Sequence, residues 1–290
     1  MSRHIKLILP AAVAAFVLGA AAHVRGQELP VGIDSGPVTT PATSVCQNKE
    51  VVAQVREALR LVCTQRASDE ASAQRLIVIG FLGGFAKSGE SKHPEVWFGD
   101  YLRERYSSAM NVSVISNHEW RKAKKDVLRL LDADNDGYLT PPEKEQAKII
   151  VFGHSWGASE TSEFAREMDQ LGIPVLLTVQ IDIVSKPGQN PILMPPNVEA
   201  AINFFQSNGP LHGRTKVVAE DPGKTEIIGN FHMTYEGRHV DCRNYPWFAR
   251  TFNKPHHEIE NDPRVWNQIA LVIDSRLSSS RGAFDRAALY

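Results

Sequence analysis

Two short stretches carry the side chains best suited to chemistry. In Gly153-His154-Ser155-Trp156-Gly157, followed by Ala158, a serine stands between two glycines. The apolar run Lys148–Phe152 before it reads as a buried strand, and the residues after it read as a helix. A strand that turns so sharply into a helix holds its serine in a strained conformation and lifts the hydroxyl above the sheet. A side chain at 153 or 157 would collide with the neighbouring strand or helix. The helix N-terminus favours negative charge developing beside the hydroxyl, so Ser155 is placed to attack an acyl carbonyl. The second stretch is Asp132-Ala-Asp134-Asn-Asp136-Gly137-Tyr138-Leu-Thr140-Pro-Pro-Glu143. Its carboxylates repel one another unless a cation lies among them. Asp132, Asp134, Asp136 and Glu143 offer oxygen donors of the kind a hard cation takes, and Gly137 allows a sharp turn among them.

These residues need a frame. Strand-like runs fall at 75–79, 111–116, 148–152, 174–182, 200–206 and 225–231, and helical patterns at 48–64, 95–106, 119–131, 159–171 and 264–277. The alternation predicts an α/β fold with a mostly parallel sheet and helices on both faces. Residues 186–197 hold Pro187, Pro191, Pro195 and Pro196 and read as a loop; its apolar Ile192, Leu193 and Met194 are placed to line a pocket. Hydrophobic residues make up 42% and charged residues 22%, which excludes a disordered chain and a polytopic membrane protein. The net charge is −1 and no basic stripe is present, which argues against a nucleic-acid partner.

Residues 1–26 read as a signal peptide. Arg3, His4 and Lys6 precede the apolar run Leu7–Ala22, with cleavage after Ala20-Ala21-Ala22 or after Val24-Arg25-Gly26. The expectation is export to the periplasm or the medium without a stable membrane span; an uncleaved N-terminal anchor is the alternative. Residues 27–72 form an N-terminal segment with one helix, 73–280 the main domain, 119–147 a crossover within it, and 281–290 a tail. Export permits disulfides. Cys46 and Cys63 flank a helical pattern and are the preferred pair, with Cys242 left over; three separate thiols are the alternative.

The glycine-serine turn with its strand and helix resembles that of the α/β-hydrolase family, over about residues 73–280. The resemblance implies a triad in the order serine, acid, histidine. Asp182 ends the strand after the turn helix, where lipase-like and thioesterase-like members place the acid; Asp221 and Asp241 are substitutes. The histidine is sought among His212, His232, His239, His256 and His257. The family places it on the loop before the last helix, which leaves His256 or His257. Ile259, three positions after His256, supplies the apolar anchor common there and favours His256. The family's oxyanion hole implies Trp156 N–H as one donor. The sequence Ile79-Gly80-Phe81-Leu82-Gly83-Gly84 resembles the lipase His-Gly-X loop with isoleucine for histidine, and implies Phe81 N–H as the other.

The acidic stretch resembles a single EF-hand loop at every ligand position, with 119–131 as its entering helix and a short exit from Pro141 to about Ala147. It is built into the crossover that leads to the Ser155 strand, and a single hand implies a structural ion rather than a sensor. Together the resemblances imply an exported serine hydrolase of lipase, esterase or thioesterase type. It would cleave a small-molecule or lipid ester through Ser155, His256 and Asp182 with one bound Ca²⁺. The rivals are an acyltransferase and a catalytically silent calcium-dependent binding protein.

Overall fold

The computed structural model describes residues 76–106 and 110–287. The signal-peptide segment, the 48–64 helix and the Cys46–Cys63 pair lie outside the described residues. Strand β1 (Leu76–Leu82) is buried at every position. A strand with no polar face must be covered on both sides, and the chain provides the covers by alternating strands with helices. In order follow α1 (Pro94–Tyr106), β2 (Met110–Ser116), α2 (Trp120–Leu131), α3 (Pro141–Glu145), β3 (Lys148–His154), α4 (Trp156–Gln170) and β4 (Leu177–Ile181). Then come β5 (Leu193–Met194), β6 (Ala200–Phe205), β7 (Val218–Ala219), β8 (Glu226–His232), α5 (Trp247–Phe252), α6 (Lys254–Asn261) and α7 (Pro263–Ala287).

The main sheet has six strands in the order β2-β1-β3-β4-β6-β8, and every neighbouring pair is parallel. Alternate residues of each strand feed two cores. Val78, Ile150 and Phe152 pack with Phe98 of α1 and Trp266, Ile269 and Ile273 of α7. Ile77, Ile79, Phe81, Ile149 and Val151 pack with Val127 of α2 and Phe164 and Ala165 of α4. Gly80 is glycine because the Phe152 ring lies over it, 2.5 Å from where a Cβ would stand. The strand order reverses between β1 and β3, and the loops leaving their C-terminal ends part there to open a crevice.

Several boundaries differ from those read in sequence. β1 runs on through Phe81 and Leu82, because both stay buried and paired. The last helix continues to Ala287 rather than giving way to a tail at 281; no proline interrupts it, and each further residue adds a helical hydrogen bond. The proline-rich loop contains β5, which pairs with β7. Met194 is fully buried with its sulfur 3.4 Å from Gln180 Nε2 and 3.5 Å from Thr178 Oγ1. It fills the core rather than lining a pocket. No described helix is long and apolar enough to cross a membrane.

Candidate active site

Ser155 sits between β3 and α4 with φ 59° and ψ −120°. Such a conformation persists only where the surroundings over-determine it. Here Ser155 N–H donates to Ile181 C=O at 3.0 Å, and Ser155 C=O accepts from Val184 and Ser159 N–H, each at 3.2 Å. The flanking glycines let strand and helix close. A Cβ on Gly153 would lie 2.5 Å from the Gly157 carbonyl carbon, and one on Gly157 would lie 2.0 Å from Phe81 C=O. Ser155 lines a cleft of about 380 Å³ at the β1/β3 crevice, with Gly83, Gly84, Phe85, Leu211 and His256 around it.

Asp182 follows β4 and is fully buried, with φ 48°. Four hydrogen bonds hold its carboxylate: from Gln206 N–H at 3.1 Å, Gln206 Nε2 at 2.8 Å, Gly213 N–H at 2.8 Å and His256 Nδ1 at 2.6 Å. These four donors fix the carboxylate in place. Because it accepts from Nδ1, the neutral His256 ring carries its lone pair on Nε2, the tautomer a general base requires. Neither Ser155 Oγ nor His256 Nε2 has a hydrogen-bond partner among the described residues. The other acids are occupied elsewhere: Asp221 closes a turn onto Gly223 N–H and Asp241 pairs with Arg243. His212, His232 and His239 are exposed, and His232 bonds Ser207.

His256 lies within α6, not on a loop before the last helix. Its side chain and those of Ile259 and Glu260 share one buried helical face. Ile259 is fully buried, as an anchor should be. His257 also borders the cleft but faces away from Asp182. Its ring stacks on Tyr245 with centroids 3.9 Å apart, and its Nδ1 is 3.7 Å from Glu260 Oε2.

Trp156, at the first turn of α4, has an N–H with no intrahelical acceptor, as the oxyanion reading requires. Phe81 stands inside β1 opposite Ile115 and Gly153 and is fully buried; neither it nor Trp156 is among the residues that line the cleft. The segment that borders the cleft is the next one, Gly83–Phe85. The N–H groups of Gly84 and Phe85 have no acceptor among the described residues. Gly83 passes so close that a Cβ there would be 3.1 Å from Ser155 Cβ. The extra strand residues hid this shift from a reading by sequence.

Sequence reasoning missed the support around Ser155, Asp182 and His256. His154 is buried, and burial lowers its pKa to about 3, so the ring is neutral. Its Nε2 donates to His256 C=O at 3.1 Å, tying α6 to the serine turn. Gln206 and Gly213 carried no sequence signal; a Cβ on Gly213 would lie 2.3 Å from Asp182 Oδ1. Cys242 is a buried free thiol, and burial followed by the nearby Glu258 raises its pKa to about 12.

The acidic loop joins α2 to α3. Oxygens of Asp132, Asp134 and Asp136 lie within 4.8 Å of one another. Asn135 and Gly137 make the turn with φ 59° and 86°. Asp132 accepts from Asp136 and Gly137 N–H at 3.2 and 3.0 Å. Glu143 folds back over the loop, accepting from Ala133 N–H at 2.6 Å and from Thr140 Oγ1 at 2.7 Å. The convergence of acidic oxygens in an open, tightly turned loop fits a hard divalent cation. The Tyr138 side chain points to solvent, which leaves only its carbonyl as a donor.

No protein-family model and no curated protein matches the chain. A crystal structure of an uncharacterized protein from Pseudomonas aeruginosa is similar at a TM-score of 0.34 and 10% identity, over 62% of this chain and 43% of that one. The chain thus spans less than half the length of that protein.

Proposed function

We propose that the protein is a serine hydrolase of the α/β-hydrolase type that cleaves carboxylic esters. The observation that carries this reading is the 2.6 Å bond from His256 Nδ1 to a saturated, buried Asp182, in a cleft shared with the strained Ser155. Ser155 Oγ attacks the ester carbonyl while His256 Nε2 takes its proton. Trp156 N–H and the N–H groups of the Gly84–Phe85 turn receive the oxyanion, in place of Phe81. The C–O bond breaks as His256 returns the proton to the departing alcohol. Water, activated by the same nitrogen, then releases the acid from Ser155. Asp182 stays ionised throughout and stabilises the imidazolium.

The cleft mouth supports an ester with an apolar portion. Phe85 is 81% exposed, and Trp247 and Phe248 are also exposed on α5, between the cleft residues Tyr245 and Asn253. Asp132, Asp134, Asp136 and Glu143, with the Tyr138 carbonyl and Thr140, would hold one structural Ca²⁺, and export by residues 1–26 would expose the loop to extracellular calcium.

Labelling by a fluorophosphonate and a p-nitrophenyl ester panel graded by chain length test the reading, on wild type and Ser155→Ala. Wild type should be labelled and should turn over. Ser155→Ala should do neither, losing about 10⁶ in turnover with an unchanged melting temperature. A loss of only a few-fold would put the nucleophile elsewhere. An unlabelled wild type would make the chain a silent scaffold.

A further inference from the structure

Beside the triad lies a second polar cluster that ester cleavage does not use. Glu260, fully buried, is its centre. Its Oε1 accepts from His93 Nδ1 at 3.0 Å, and its Oε2 accepts the Tyr245 hydroxyl. Glu95 is also fully buried, and neither of its carboxylate oxygens has a hydrogen-bond partner. One donor atom from each of His93, Glu95 and Glu260 lies within 4.8 Å of the other two. Among the described residues no lysine or arginine pairs with Glu95 or Glu260.

Two ionised carboxylates share such a place only at a high cost. At 4 Å they repel by about 4 kcal/mol with an effective dielectric near 20, and each has also lost its hydration. A positive species between them removes both costs, whether a proton or a metal ion.

We propose that His93, Glu95 and Glu260 bind a divalent transition-metal cation of the zinc class at the foot of the cleft. One imidazole nitrogen with two carboxylate oxygens suits zinc and its borderline neighbours; it is neither a thiolate set nor the all-oxygen shell of calcium. Zinc bonds of about 2.0–2.1 Å place tetrahedral ligands roughly 3.3 Å apart. The 3.0 Å from His93 Nδ1 to Glu260 Oε1 is close to that spacing, and all three donor atoms lie within 4.8 Å of one another. Three protein ligands leave a fourth position; His93 and Glu260 also border the cleft, and the Tyr245 hydroxyl lies against both of them. The site shares no residue with Ser155, Asp182 and His256, although it borders the same cleft.

The test is zinc binding by calorimetry to the metal-free full chain carrying Glu143→Gln, which silences the acidic loop. One Zn²⁺ per chain is expected. Adding Glu95→Gln or His93→Gln should weaken binding at least a hundredfold while the metal-free melting temperature holds. Zinc-edge X-ray absorption on the Glu143→Gln protein should show imidazole and carboxylate ligands, and it needs no further substitution should the double variants not fold. No bound zinc, binding indifferent to both substitutions, or a shell containing sulfur or lacking imidazole overturns the proposal. Zinc silence together with a more stable Glu95→Gln protein would identify a shared proton instead.

Discussion

His256 and His257 are neighbours on α6, yet they face carboxylates in opposite circumstances. Asp182, beside His256, is as buried as any residue in the protein but receives four hydrogen bonds. Glu260, beside His257, stands next to Glu95, whose oxygens receive none. Burial is the same in both regions; the supply of donors is not. A buried acid with all its donors is held in one orientation and can orient a base in turn. A buried acid without them carries an uncompensated desolvation cost.

The widest contrast expected is between the two histidines. His256→Ala should lower ester turnover by about 10³-fold or more, since it removes the base from a cooperating triad. His257→Ala should stay within roughly tenfold, because that ring stacks on Tyr245 away from Asp182. Steady-state kinetics on both variants decide it, and equal losses would erase the distinction between the two acids.

A smaller effect should come from the donors themselves. In Gly213→Ala the new Cβ would press on Asp182 Oδ1. Displacing the acid by about an ångström should cost roughly 10²-fold in kcat, the scale of misplacement effects in general, with KM little changed. An unaffected kcat would mean that the supply of donors to Asp182 does not matter to turnover.

The least effect on turnover should come from a third set of carboxylates, those of the exposed acidic loop. Ca²⁺ bound only to the folded chain should raise stability by about 2.7 kcal/mol at a hundredfold excess over Kd. EGTA should lower the melting temperature of wild type, and Glu143→Gln should abolish the difference. Activity should fall only as structure is lost, because the crossover leads directly into β3 and Ser155. Identical melts in the two buffers would remove the loop as a cation site. Activity switching at constant stability would make the ion regulatory.

Much of the site was legible because it is written within a few residues. The two glycines, the strand before Ser155 and the helix after it are one local pattern, and the close approaches at Gly153 and Gly157 explain why both lack side chains. The spacing from Asp132 to Glu143 is local too. So is the alternation of apolar strands with helices that gives the parallel sheet. Where the pattern stopped being local, the reading failed or fell silent. Phe81 missed the cleft because the length of β1 is set by its pairing with β2 and β3, not by the glycine at 80. The helix carrying His256 was invisible beside two prolines and a short apolar period, and it is held by a bond from His154, 102 positions away.

The sequence by itself determined the serine turn, the acidic loop and the alternation of elements, since each needs only neighbours along the chain. Only the tertiary structure decided which histidine meets Asp182, which loop borders the serine and where Glu95 and Glu260 converge. Gln206 and Gly213 reach Asp182 only once β4 and β6 are paired. His93 meets Glu260 across 167 positions, brought together where α1 begins and α6 ends. Burial and donor supply arise from such long-range meetings, and they divide two otherwise similar carboxylate regions into different chemistries.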